Sequence, residues 1–241
     1  MNVNKTNKER LGRLFPFLSV FLGACAGGGS GSGSSASGFS AIYSGAAIKG
    51  PLENATAFVD YDGDGVLDAD EPSVSTGADG SFSLATTQVA PIVVLTDATT
   101  IDNSTGNAIG AGIVLKAPAG ASVVSPTTTL VANGASEAQV KAALGLSSSV
   151  DLNTFNPFAA GADATEALAY EKASVQIFAT ISAVASAAQG AGANQADAQA
   201  AAFSALASAV TSAATASTQI DLSDATTVSQ VMASTSTSLS D

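Results

Sequence analysis

Twelve consecutive residues hold a dense group of oxygen donors: Asp60-Tyr61-Asp62-Gly63-Asp64-Gly65-Val66-Leu67-Asp68-Ala69-Asp70-Glu71. Asp60, Asp62 and Asp64 fall at positions 1, 3 and 5, Asp68 at position 9 and Glu71 at position 12. Val66 at position 7 offers a backbone carbonyl, and Gly65 stands at position 6, where a sharp turn demands a positive φ. Donors at alternate positions can all turn inward around one hard cation. Calcium takes roughly six to eight oxygens at about 2.3–2.6 Å, whereas magnesium demands a tighter octahedron and keeps its waters. Without a cation the carboxylates repel one another, so the filled loop is expected to be the ordered one. Leu67 is expected to pin the loop to the core, and Asp70, outside the ligand pattern, to face solvent. The competing reading is a plain solvated Asp/Gly turn.

The spacing is that of an EF-hand-type calcium loop, with Asp60, Asp62, Asp64, Val66, Asp68 and Glu71 as the ligand set of a structural Ca2+. The flanks do not suit helices. Pro51, Asn54 and the strand-like Ala57-Phe58-Val59 precede the loop, and Pro72 follows it. Strands are predicted at 55–59, 81–84, 91–96 and 113–116, where β-branched and aromatic runs lie between Gly, Pro, Asn and Asp. Asp79-Gly80 is a turn signal before Ser81-Phe82-Ser83-Leu84, whose alternation puts Phe82 and Leu84 on one face. The run from Ile48 to Leu84 resembles the calcium-binding B-type repeats of bacterial surface adhesins. It is also similar to the carboxypeptidase-regulatory-like modules of secreted bacterial proteins. The resemblance implies an immunoglobulin- or transthyretin-like sandwich with the loop between strands, acting as a rigid spacer or adhesive unit and not as a catalyst.

Composition narrows the chemistry further. The 241 residues contain no His, no Trp and one Cys. That leaves no Ser-His-Asp or Cys-His nucleophile system, no His-ligated metal and no intramolecular disulfide. A formal charge of −12 opposes nucleic-acid binding, which depends on replacing the counterions around phosphate. A carboxylate pair could hydrolyse an envelope polysaccharide without His. However, sugar clefts favour aromatic platforms, and this chain offers only Tyr43, Tyr61 and Tyr170 besides its phenylalanines. The reading is therefore non-enzymatic.

Half of the basic residues, Lys5, Lys8, Arg10 and Arg13, precede the apolar stretch Leu14-Phe15-Pro16-Phe17-Leu18-Ser19-Val20-Phe21. From residue 25 onward four lysines face nineteen acids. A basic start, a short apolar run and small residues make a secretory signal peptide, too short to remain as a spanning helix. The ending Leu22-Gly23-Ala24-Cys25 resembles the lipobox of bacterial lipoproteins, which implies lipidation of Cys25 as the mature N-terminus. Ala26, in place of an inner-membrane retention Asp, directs the reading to the outer membrane. The Gly/Ser-rich stretch that follows is a flexible tether of roughly 20 Å.

Beyond Ser125 the periodicity becomes helical. Pro126 opens a short helix, and Ser136 with Gln139 forms a capping-box signal for a helix that ends at Leu144 before Gly145. Longer helices are predicted at 164–189 and 195–214, with a further one at 224–232. Leu168, Val175, Phe178 and Ile181 mark the apolar stripe of the first long helix, and Phe203, Leu206 and Val210 that of the second. The expected fold is α+β, a small antiparallel β-sandwich followed by an Ala-rich helical hairpin or bundle, with two packed cores. The segments are a signal peptide (1–24), a linker (25–40), the β module (41–125) and the helical region (126–241). The expected function is that of a calcium-binding, lipid-anchored envelope protein with a structural, adhesive or interaction role. Its partners would be the membrane, through the anchor, and a protein or envelope polysaccharide. A periplasmic accessory or ligand-binding lipoprotein is the alternative, and would require an enclosed apolar pocket.

Overall fold

A computed structural model describes residues 41–240; the expected signal peptide, Cys25 and the expected linker lie outside the described residues. The order is β1 (Ala41–Ala47), β2 (Leu52–Glu53), β3 (Thr56–Val59), β4 (Ser73–Ser75), β5 (Ser81–Thr86), β6 (Ile92–Leu95), β7 (Ile101–Asp102), β8 (Asn107–Ala108), β9 (Val114–Ala117) and β10 (Val123–Val124). Five helices follow: α1 (Pro126–Ala132), α2 (Glu137–Leu144), α3 (Ala164–Gly190), α4 (Gln195–Thr215) and α5 (Ala225–Ser238). The architecture is thus α+β, with strands first and helices second.

The strands form a four-stranded sheet, β4-β3-β6-β9, and two three-stranded sheets, β10-β1-β5 and β2-β7-β8. In the first, Ala57, Phe58 and Val59 pair with Val94, Val93 and Ile92, and all six are buried. Burial on both faces explains why these strands read as unbroken apolar runs instead of alternating. β5 does alternate, with Phe82 and Leu84 inward and its serines outward. The pairings are antiparallel except one. β10 runs parallel to β1, with Ala46 opposite Val123 and Ala47 opposite Val124, which corrects the wholly antiparallel expectation. These two strands come from opposite ends of the β segment, so no hairpin sets their direction.

Helix ends are set by their caps. The Ser125 hydroxyl accepts from the Thr128 N–H at 3.2 Å, and Pro126 takes the first helical position. Ser136 and Gln139 form the reciprocal capping box, and Gly145 closes α2 in the left-handed region at φ 68°. Asp163, Asn194 and Asp224 cap the three later helices. Phe203, Leu206 and Val210 are buried on α4 as expected. The stripe expected on α3 is rotated: Leu168 is 72% exposed and Val175 49% exposed. The buried face carries Tyr170, Ala173, Ile177, Ile181 and Val184. Small residues let α4 and α5 pack closely against this face, so side-chain bulk alone misidentifies it. α3 and α4 lie against one another across the short connection 191–194. No helix among the described residues is long and apolar enough to cross a membrane.

One apolar cluster runs through both halves, joining Val59, Phe82, Val94 and Leu115 to Leu130, Tyr170, Ile177 and Leu206. The expected pair of cores is therefore a single core, and the strand-rich and helical segments belong to one compact unit, Gly38–Asp241. The fully buried Tyr170 hydroxyl ties α3 to the start of α1, within 2.8 Å of the Ser125 hydroxyl and accepting from Thr127 at 2.7 Å. The outer side of β9 is met by side chains. The Val114 N–H donates to Gln199 Oε1 at 3.0 Å, and the Lys116 N–H donates to Thr129 Oγ1 at 2.9 Å.

A polar seam joins the β region to α3. Lys49 donates to Asp102 Oδ2 at 2.7 Å, and its Nζ lies 5.1 Å from the centre of the Phe178 ring. Burial pushes the Asp102 carboxyl up, but hydrogen bonds from Lys49 and Ser104 outweigh it and hold the group below its ordinary range. Glu171, with one buried oxygen lacking a hydrogen-bond partner, fares worse. Burial, then the nearby Asp102 charge, push it up to about 7, against the pull of Lys49. A carboxyl raised this way stabilises the fold below its ordinary value of 4.5, and that contribution is lost as pH climbs through about 7. Glu171→Gln should accordingly raise the melting temperature at pH 8 while changing it little at pH 4.5. After allowance for solvent screening the gain is about 1 kcal/mol. Equal shifts at both pH values would refute the assignment.

Candidate metal centre

The acidic loop joins two paired strands, β3 and β4, with Phe58 opposite Ser73. Its base is closed by the Val59 N–H, which donates to the Pro72 carbonyl at 3.2 Å, and by the Asp60 N–H, which donates to the Pro91 carbonyl at 3.0 Å. This hairpin setting matches the expectation that no helix flanks the loop. It leaves the first and last ligand positions buried, Asp60 at 1% and Glu71 at 8% exposed, while Asp62, Asp64 and Asp68 are exposed.

Carboxylates organise the loop backbone. Asp60 Oδ1 accepts from the Gly63 N–H at 2.7 Å, Asp62 Oδ1 from Asp64 at 3.1 Å, and Asp64 Oδ1 from Val66 at 2.7 Å. Glu71 clasps both ends, with Oε1 accepting from the Tyr61 N–H at 2.6 Å and Oε2 from Asp68 at 3.0 Å. Gly65 sits at φ 81°, the left-handed conformation that position 6 requires.

Asp60, Asp62 and Glu71 each contribute a carboxylate oxygen to a group lying within 4.8 Å of one another, an arrangement able to hold a metal ion. Asp64 and Asp68 stay outside this close group. The donor set suits a hard cation, because it consists of acceptor oxygens alone. The buried Asp60 Oδ2 also has no hydrogen-bond partner, and a buried carboxylate oxygen without one is costly. Its nearest cation, Lys116 Nζ, stands 4.0 Å away.

The electrostatics of the loop run the same way. Burial raises the Asp60 carboxyl, and the Glu71 charge adds to this, against the Gly63 N–H and Lys116. Desolvation first, then the charges of Asp62, Asp64, Glu71 and Asp70, raise Asp68. Both groups hold protons more tightly in the folded loop than in the unfolded chain, so a cation entering it must compete with protons and is favoured by rising pH.

Two features of the site differ from expectation or escaped it. Leu67 is exposed and does not anchor the loop; Asp70 faces solvent as expected. The anchor is Tyr61 at position 2, which packs on the core and places its hydroxyl 3.0 Å from that of Thr86. An aromatic beside the first ligand was the available signal. Lys116 had no local signal, since β9 meets the loop only in three dimensions. Beside the loop lies a cavity of about 240 Å³, lined by Asp64, Gly65, Lys116, Asp197, Gln199 and Phe203.

No protein-family model, curated protein or solved structure matches this chain, so the chemistry of the site rests on its own residues. Glu71→Gln tests the clasp. One of its two acceptors becomes an amide NH2, leaving either the Tyr61 or the Asp68 N–H unpaired. The metal-free protein should lose about 1–2 kcal/mol in denaturant unfolding. Asp62→Asn retains its acceptor for the Asp64 N–H and should stay within about 0.5 kcal/mol of wild type.

Proposed function

We propose that this protein is a calcium-binding, lipid-anchored component of a bacterial cell envelope with a structural, adhesive or interaction role, in which the cation rigidifies the β region. The observation that carries the reading is the buried, unpartnered Asp60 Oδ2 grouped with Asp62 and Glu71 in a loop of EF-hand spacing. Calcium suits this loop better than magnesium, because a flexible ring of carboxylates and a carbonyl meets its larger, less regular coordination shell. The exposed Asp64, Asp68 and the Val66 carbonyl complete the set by turning inward. In finer detail the strands constitute an immunoglobulin- or transthyretin-like sandwich, with the loop at one end and α1–α5 packed against its core.

The ligand-binding alternative finds less support. The larger grooves, of about 630 and 490 Å³, are open to solvent, and their walls mix polar residues such as Gln219 and Asp221 with apolar ones such as Leu146, Ile220 and Val231. A non-catalytic role also accords with the absence of His and the scarcity of aromatic platforms. Cys25 carries the anchor in this reading, and the Gly/Ser stretch holds the folded unit close to the membrane.

Calcium that binds the folded loop and not the unfolded chain adds stability in proportion to occupancy. At a Kd of about 0.1 mM and about 1 mM free ion the gain is roughly 1.4 kcal/mol. Melts of Gly38–Asp241 in EDTA and in millimolar calcium should therefore differ by about 3–6 °C. Asp62→Asn should remove most of that difference without lowering the EDTA value. Superimposable wild-type melts would sink the calcium reading. For the anchor, cells fed labelled palmitate should incorporate it into the wild-type protein and not into Cys25→Ser. Label persisting in the variant would exclude lipidation at Cys25.

A further inference from the structure

We propose that Lys116 is a tethered counter-ion of the acidic loop. In the metal-free protein it takes over the electrostatic role of the divalent cation, it yields that role when the cation binds, and it thereby sets the affinity of the site. This rests on the metal-binding reading above and concerns a residue that supplies no ligand to it.

The chain makes cations scarce. Of the four lysines after the basic leader, Lys49 is paired with Asp102 at 2.7 Å and Lys141 with Glu137 at 2.8 Å. Lys172 lines a groove at α2 and α3, away from the loop. Lys116 reaches from β9, where it lies opposite Val93, to the mouth of the loop. Its ammonium stops 4.0 Å from Asp60 Oδ2, close enough to offset charge and too far for a hydrogen bond. Asp60 is 1% exposed and the oxygen facing Lys116 has no other partner, so the lysine is what keeps a buried carboxylate from standing wholly uncompensated.

Gly65 makes the approach possible. A Cβ built on it would collide with Nζ and Cε of Lys116. The glycine at position 6 therefore serves two ends, the left-handed turn and the room for an ammonium beside the ligands. The lysine also has somewhere to go. Its side chain is 28% exposed and borders the cavity of about 240 Å³, whose wall also carries Asp197. A divalent ion seated among Asp60, Asp62 and Glu71 repels the ammonium, which can withdraw towards that wall. Binding then costs the work of displacing a charge already in place, and affinity is lower than the carboxylates alone would give.

Calorimetric calcium titrations of Gly38–Asp241, which carries the whole described core, test this with wild type, Lys116→Met and Lys116→Arg. Lys116→Met keeps the stem and removes the charge, so it should bind calcium about tenfold more tightly. Lys116→Arg should stay within about twofold of wild type, as a retained charge at that place requires. In EDTA the methionine variant should melt lower than wild type, and calcium should close most of that gap. Equal or weaker calcium affinity in Lys116→Met, beside a wild type that binds, would overturn the proposal. So would an equal drop in both melts, which would mean the side chain only packs. If none of the three proteins takes up calcium, the metal reading itself fails, and this one with it. Should Lys116→Met not fold, Lys116→Gln stands in under the same criteria.

Discussion

Negative charge held against scarce positive charge is the constraint under which this fold is built. From residue 25 onward the chain has four lysines for nineteen acids, so few carboxylates can be neutralised by a side chain. Backbone amides do much of the work instead. The loop acids take their own N–H groups, and Asp163, Asp221 and Asp224 accept from the amides two residues on. Two buried acids stand beside a lysine, Asp102 by Lys49 and Asp60 by Lys116, while the buried Glu71 is held by the Tyr61 and Asp68 amides. Glu171 is pushed up to about 7 by its burial first and by the neighbouring Asp102 charge second, against the pull of Lys49.

The strand β9 links this charge economy to the rest of the molecule. It carries Lys116 towards the loop and holds Leu115 in the common core. Through Gln199 and Thr129 it is hydrogen-bonded to α4 and α1. Gln195 adds a second bond from α4, donating to the Ala111 carbonyl at 2.7 Å. The mouth of the loop and the first turns of α4 are thus joined through β9 and its hydrogen bonds.

Local chemistry was legible in the sequence, and long-range pairing was not. Pro126, the capping box of Ser136 and Gln139, and Gly145 are read from one to four residues, and α1 begins and α2 begins and ends where they place them; the Ser125 cap of α1 emerges only in the structure. Apolar runs revealed β3, β6 and β9, while β5 declared itself by alternation. β2, β7, β8 and β10 are two residues long, too short to carry a period, and β1 is built largely of small residues. Leu168 and Val175 misplaced the inner face of α3, because its true face is drawn in alanine, serine and threonine around Tyr170 and Ile177. At the candidate metal centre the spacing of Asp60, Asp62 and Glu71 was visible as a pattern. The clasp by Glu71, the anchoring by Tyr61 and the approach of Lys116 depend on backbone geometry or on contacts distant in sequence.

The outer side of β9 has a consequence for assembly. A terminal strand of a sheet usually offers a row of open amides and carbonyls to which a strand from another molecule can add. Here the Val114 and Lys116 amides are taken by side chains of Gln199 and Thr129, and the Lys116 carbonyl accepts from Thr128 and Thr129. The four-stranded sheet is sealed on that flank by helices, without a further strand. Copies of this protein crowded side by side would find no template there for running their sheets together into a fibre.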